Sequence, residues 1–149
     1  MSSESEHIKL ALHNIEAVDY LRARPEFCDW AATVAFYVSV HVVEAVFFHD
    51  TKHVGFAHIR NHEERERILK GTKSYENLYR HYRALQSASV IARYLRSADE
   101  KGLCDYMNHN QVESTLIKYH LAELIKTAGK FLDPGSAGRL IEAFDRFFR

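Results

Sequence analysis

One stretch of the chain is apolar on every side of a helical wheel. Residues 30–48, WAATVAFYVSVHVVEAVFF, place Val, Ala and Phe at all helical positions. A helix of this kind is normally buried in the middle of a larger structure. The length also suits a membrane span, but His41 and Glu44 lie inside the stretch and are costly in hydrocarbon. We therefore predict the central helix of a soluble bundle, running from about Asp29 to Phe48, with no membrane segment.

Apolar stripes with three- and four-residue spacing predict the other helices. Proline, glycine and capping residues mark the ends of these helices, including a break at Asp133-Pro134-Gly135 and a cap at Ser136. The predicted helices cover residues 3–24, 29–48, 58–70, 75–96, 111–132 and 136–149. The sequence therefore predicts a single all-α domain, an up-and-down bundle of five to six helices around a buried central helix.

Composition narrows the class of protein only a little. The chain has 149 residues, and its 20 basic and 20 acidic side chains cancel, so a nucleic-acid site must rest on a local patch. The two cysteines lack the spacing of a zinc site, and the N-terminal residues lack the pattern of a signal peptide. We predict a cytoplasmic protein with no cofactor.

Two polar residues in the central helix, His41 and Glu44, need partners because burying an unpaired charge costs several kcal/mol. A neighbouring helix supplies them, either as a structural network or as part of a polar cleft, and both readings stay open. The charged segment that follows places His58, His62 and Arg65 on one helical face.

Those three residues suit three interpretations. Two histidines four residues apart are able to share a metal, although the carboxylates of a di-iron site are missing. Imidazole beside guanidinium is also able to cleave RNA without metal, by proton transfer and charge stabilisation. The third interpretation is a solvated helix whose charges only maintain solubility.

A second candidate surface is the helix over residues 75–96, which is rich in arginine and tyrosine. Arg80, Arg83 and Arg93 are predicted to bind phosphates, and tyrosine faces are able to stack on bases. The alternative is that the tyrosines pack in the bundle and the arginines pair with the glutamates of residues 58–70.

The order of these segments resembles the HEPN superfamily. The similarity rests on AFYVSVHVVEAVFF, the spacing H-x-x-x-H-x-x-R at His58, His62 and Arg65, and YENLYRHYRALQSASVIARYL. This resemblance implies a helical bundle, usually dimeric, in a superfamily with many metal-independent ribonucleases and toxin components. It also implies an Arg followed by a polar residue and, after four to six residues, by a His.

Arg60-Asn61 matches the opening of that motif, but Arg65, Glu66 and Arg67 stand where the histidine is expected. Either the polar site has moved to His58, His62 and Arg65, or the chain is a non-catalytic member. We predict a homodimer that binds RNA or nucleotide. Ribonuclease activity would use His62 as proton shuttle, Arg65 as phosphate clamp and Glu44 to orient them, with His41 and His58 lining the cleft and Arg60 binding phosphate. The alternatives are a protein-interaction module with a buried polar network and a metal-dependent helical-bundle enzyme.

Overall fold

A computed structural model describes residues 3–50, 61–94 and 108–149, and these residues form an all-α bundle. The described ranges contain six helices and no strand, which confirms the predicted fold class. The helices are α1 (Glu4–Arg22), α2 (Cys28–His49), α3 (His62–Gly71), α4 (Glu76–Tyr94), α5 (residues 109–128) and α6 (Pro134–Phe148). Short 3-10 turns at Pro25–Phe27 and Lys73–Tyr75 precede α2 and α4.

The central helix of the bundle is α2, as predicted. Fifteen of its 22 residues are buried, and α1 and α4 are its main neighbours. The segment Pro25–His49 is long and apolar enough to cross a membrane, with a mean hydropathy of 1.7, but 78% of its most apolar window is buried inside the protein. That burial is what the all-round apolar pattern requires of a core helix.

Helix α3 begins later than the sequence suggests. Asn61 has an extended backbone, with φ −156°, and its side-chain oxygen accepts a hydrogen bond from the Glu64 amide at 2.9 Å. An Asn in this position satisfies one of the amides that the first helical turn leaves free. The prediction of one helix over residues 58–70 is therefore wrong at Asn61, while His58 lies outside the described residues.

Helix α6 begins earlier than predicted, at Pro134. The carboxylate of Asp133 accepts hydrogen bonds from the amides of Gly135 and Ser136, at 3.0 and 3.4 Å. Proline suits the first helical position because its ring fixes φ and it has no amide proton to satisfy. Asp133 is thus the cap, and Ser136, the predicted cap, is a buried residue of the first turn.

Helix α5 contains a feature that the pattern did not predict. Residues 109–128 form one continuous helix, but Val112–Leu121 winds as a π-helix. Such wide turns are rare and change which side chains face a neighbouring helix. At the end of this stretch, His120 Nδ1 lies 3.0 Å from Nδ1 of His81 on α4.

The C-terminal phenylalanines pack on the bundle. Phe148 is buried, and the Arg22 guanidinium lies 5.0 Å from the centre of its ring. Arg22 also donates to the Phe147 carbonyl at 2.8 Å and pairs with Glu113 of α5. These contacts tie α1, α5 and α6 together at one end of the molecule.

Candidate functional site

A buried ion pair joins the central helix to α3. Arg65 and Leu69 lie four residues apart on α3, so they share one face of the helix. Both side chains are buried, which means that this face points toward the core. The Arg65 guanidinium reaches one oxygen of Glu44, with Nε at 2.9 Å and Nη2 at 2.7 Å. Both side chains are less than a tenth exposed. Glu44 thus finds an arginine of its own chain as its partner.

The same guanidinium orients His62. Nη1 of Arg65 lies 2.8 Å from Nδ1 of His62, and the two residues are three positions apart on α3. Arginine has no acceptor, so Nη1 donates and Nδ1 accepts. The ring proton of neutral His62 is therefore on Nε2. His62 itself is exposed, and its ring lies 5.8 Å from that of Phe36 between centroids.

Partial burial and the positive charges around His62 keep its imidazole neutral. Its pKa is lowered first by partial loss of solvent and then by the positive charges of Arg65 and Arg93, against the opposing effect of Glu44. Protonation would also put a proton on Nδ1, facing the N–H of Arg65. Geometry and charge therefore agree that His62 is an uncharged hydrogen-bond donor at neutral pH.

Tyr82 completes the inner side of this group. Its hydroxyl lies 3.5 Å from Nη1 of Arg65, and burial raises the pKa of the phenol although Arg65 lowers it. Burial alone would lower the pKa of Arg65, but the interactions with Tyr82 and Glu44 raise it. Because Tyr82 is a neutral phenol at pH 7, the Glu44 carboxylate is the partner that holds the positive charge.

Arg93 of α4 provides a second guanidinium near His62. Its Nε donates to the Ser89 carbonyl at 3.3 Å, and Nη1 lies 3.4 Å from the Tyr37 hydroxyl. The guanidinium carbon lies 6.0 Å from the centre of the Tyr37 ring, a cation–π distance. Arg93 is half-buried, and its charge lowers the pKa of His62. We call Glu44, His62, Arg65, Tyr82 and Arg93 the polar cluster.

His41 pairs with a residue that the sequence reasoning missed. Its Nδ1 lies 3.1 Å from Nδ1 of His7 on α1, and the His7 ring also contacts Phe48. Burial, followed by the charges of His7 and Arg65, lowers the pKa of His41 to about 4. His7 directly precedes Ile8, the first buried residue of α1, and the spacing of the sequence does not mark it as a partner of His41.

Two of the other predicted phosphate-binding residues lie outside the polar cluster. Arg80 and Arg83 are exposed on α4, and Arg60 and His58 fall outside the described residues. Among residues 3–50, 61–94 and 108–149, no three His, Cys, Asp or Glu side chains come together in a way that could hold a metal ion.

No protein-family model, curated protein or solved structure matches the chain.

The geometry supports particular chemical roles. The charge of Arg65 is compensated by Glu44, and its Nη1 donates a hydrogen bond to Nδ1 of His62. Arg65 therefore acts as a positioning residue. No described residue accepts from Nε2–H of His62, which is therefore able to donate to a ligand, and Arg93 adds positive charge nearby. A neutral donor beside a guanidinium suits a phosphate oxygen.

Proposed function

We propose that this chain is a HEPN-like protein that binds the phosphates of RNA or of a nucleotide at the exposed side of the polar cluster. The observation that carries this proposal is the 2.8 Å contact between Arg65 Nη1 and His62 Nδ1. It fixes an exposed imidazole in one tautomer, with its remaining N–H available to an acceptor. A site that is held in place before the ligand arrives loses less entropy on binding.

The position of Arg93 supports the same ligand. Electrostatic attraction to phosphates supplies much of the affinity of nucleic-acid binding, and arginine forks suit phosphate oxygens. Arg93 is held by Ser89 and Tyr37 within electrostatic reach of His62. Tyr37, which is half-buried, adds an aromatic ring beside Arg93. Phe36 packs beside the His62 ring but is buried.

Binding is better supported than cleavage. A general base must have a free lone pair to take the proton of the 2′-hydroxyl. In His62 that lone pair is on Nδ1, where Arg65 donates to it. Cleavage by His62 would first require Arg65 to leave Glu44 and His62, which would expose an unpaired buried charge.

Fluorescence anisotropy of a labelled single-stranded RNA tests this proposal. We expect binding at low salt that weakens steeply as salt rises, because bound phosphates release counterions. His62→Ala and Arg93→Gln should each weaken binding about tenfold, the effect of losing one charge-assisted hydrogen bond. Arg139→Gln changes an exposed arginine on α6 and serves as the matched control.

Two further experiments identify the class of ligand and test for RNA cleavage. Competition by a mononucleotide distinguishes a nucleotide site from an RNA site, and a gel assay in EDTA detects metal-independent cleavage. No RNA or nucleotide binding at low salt would contradict the proposal. Equal losses in the Arg139→Gln control would show that binding is diffuse and does not use the polar cluster.

The second candidate function is a non-catalytic protein-interaction module. The observation in its favour is that each of the three guanidinium nitrogens of Arg65 already has a partner inside the protein. Such a network is able to specify the packing of α2, α3 and α4 without any ligand. In that case His62→Ala lowers the melting temperature, and neither the variant nor the unmodified chain binds RNA or nucleotide.

A further inference from the structure

One hydroxyl group beside the polar cluster, that of Tyr37 on α2, accepts a hydrogen bond from an arginine. Nη1 of Arg93 lies 3.4 Å from the Tyr37 oxygen. An arginine side chain has no acceptor, so the guanidinium donates and the hydroxyl oxygen accepts. The phenolic proton therefore points away from Arg93, and no described residue accepts it. Tyr37 is left with one hydrogen to donate, as His62 is.

Tyr37 lies close to both donors of the proposed phosphate site. Its ring is 5.6 Å from the ring of Phe36 between centroids, and the ring of Phe36 is 5.8 Å from that of His62. The guanidinium carbon of Arg93 lies 6.0 Å from the centre of the Tyr37 ring, and the charge of Arg93 lowers the pKa of His62. Tyr37 is half-buried, so part of its side chain is open to solvent. These contacts bring Tyr37, Arg93 and His62 to one region of the surface.

The contact with Arg93 also makes the Tyr37 hydroxyl a stronger donor. A hydroxyl that accepts from a cation is polarised, and hydrogen bonds in such a chain strengthen one another. A phosphate oxygen is a charged acceptor, and hydrogen bonds to charged groups are about twice as strong as those between neutral groups. A phenol is itself uncharged at pH 7. Tyr37 therefore offers a directed hydrogen bond to a phosphate without adding a charge to the site.

We propose that Tyr37 is a second uncharged donor of the phosphate site, and that its hydroxyl donates to a phosphate oxygen while Arg93 holds the hydroxyl in place. This role of Tyr37 rests on the proposed phosphate binding. The ligand is then held by directed O–H and N–H donors as well as by charge. Each donor is oriented by a different arginine, Tyr37 by Arg93 and His62 by Arg65. A few polar groups in fixed positions determine how a ligand is oriented in its site.

The variant Tyr37→Phe tests this role, because it removes only the hydroxyl and keeps the aromatic ring beside Arg93. We expect labelled single-stranded RNA to bind about tenfold more weakly, the effect of losing one hydrogen bond to a charged acceptor. The slope of log affinity against log salt concentration should stay the same, because the substitution removes no charge and so leaves counterion release unchanged. Tyr20→Phe, at an exposed position of α1, is the matched control and should bind RNA as the unmodified chain does.

A double-mutant cycle tests whether Arg93 holds the hydroxyl in place. In the Arg93→Gln variant the guanidinium no longer donates to the Tyr37 oxygen, so the hydroxyl has lost its fixed direction. The further loss of affinity caused by Tyr37→Phe should then shrink to about twofold or less, because residues in contact do not contribute independently. A full tenfold loss in that variant would overturn the positioning role of Arg93.

A purely structural hydroxyl gives a different result. If Tyr37 only secures Arg93 within the fold, Tyr37→Phe lowers the melting temperature and leaves the affinity for RNA unchanged. That outcome would overturn the role of Tyr37 and leave the proposed phosphate binding intact. A salt slope that changes in Tyr37→Phe would also overturn it, because the hydroxyl would then act through a nearby charge. Failure of the unmodified chain to bind RNA would overturn the proposed function, and the role of Tyr37 with it.

Discussion

At the scale of single residues, the central feature is the buried charge of Arg65, which the Glu44 carboxylate compensates. The sequence predicted that Glu44 and His41 need partners, and it placed His62 and Arg65 on one face of α3. The structure brings Glu44, Arg65 and His62 together but gives His41 to His7 of α1. Sequence spacing orders residues along one helix, and it does not determine which helices face each other, so the His7 partner was not predictable.

The variant Glu44→Gln tests whether Glu44 compensates the buried charge of Arg65. The variant leaves Arg65 buried without a counter-charge, and breaking one side of a buried pair costs about 3 kcal/mol or more. We expect urea unfolding to show a loss of about that size, with the slope of the transition unchanged. The double variant Glu44→Leu with Arg65→Met replaces the pair by apolar groups and should recover most of the stability.

A loss below about 0.5 kcal/mol in Glu44→Gln, the range of an ordinary surface substitution, would contradict the buried ion pair.

The partial burial of His41 and His7 makes the stability of the protein depend on pH. The pKa of His41 in the folded protein is about 4, below its ordinary value of 6.5, and that of His7 is also lowered. The stabilisation is therefore present above pH 6.5 and is lost as the pH falls toward 4, because the unfolded chain binds the protons first. Allowing for solvent screening at these partly exposed rings, we expect a loss of about 2 kcal/mol.

Urea unfolding between pH 7.5 and 4.5 measures this loss. The variant His41→Leu removes the titrating group and should show a flatter dependence on pH than the unmodified chain. Identical pH dependence in the two proteins would mean that other groups, including the His81–His120 pair, account for the acid sensitivity.

At the scale of elements, periodicity predicted the helices well and their ends less well. The apolar stripes of α1 and α4 are buried, as the three- and four-residue spacing predicts. The ends depend on single capping contacts, and several neighbouring residues compete for each cap, as Asp133 and Ser136 do for α6. The π-helical stretch of α5 was not predictable, since its apolar spacing also fits an α-helix.

Two substitutions separate the candidate caps of α6. Asp133→Ala removes a carboxylate that accepts from two amides, and we expect a loss of about 1 kcal/mol in thermal or urea unfolding. Asp133→Asn should be nearly neutral because Asn is an equally good cap. If Ser136→Ala costs more than Asp133→Ala, the cap assignment is wrong.

At the scale of the whole molecule, the all-α bundle around a buried helix followed from one apolar stretch and five amphipathic ones. The polar cluster lies where α2, α3 and α4 meet. Helix α2 contributes Glu44 to this cluster, and Arg65 of α3 compensates the charge of this buried carboxylate.

The proposed phosphate site requires that His62 is neutral and protonated on Nε2, because Arg65 donates to Nδ1. Long-range ¹H–¹⁵N NMR of the histidine rings, titrated with pH, measures both properties. The predicted result is the Nε2–H tautomer at pH 7 with a pKa below 6.5, and a shift to the other tautomer or to the cation in the variant Arg65→Met. An imidazolium at pH 7, or the Nδ1–H tautomer in the unmodified protein, would mean that Arg65 does not donate to His62 Nδ1 and would contradict the proposed phosphate site.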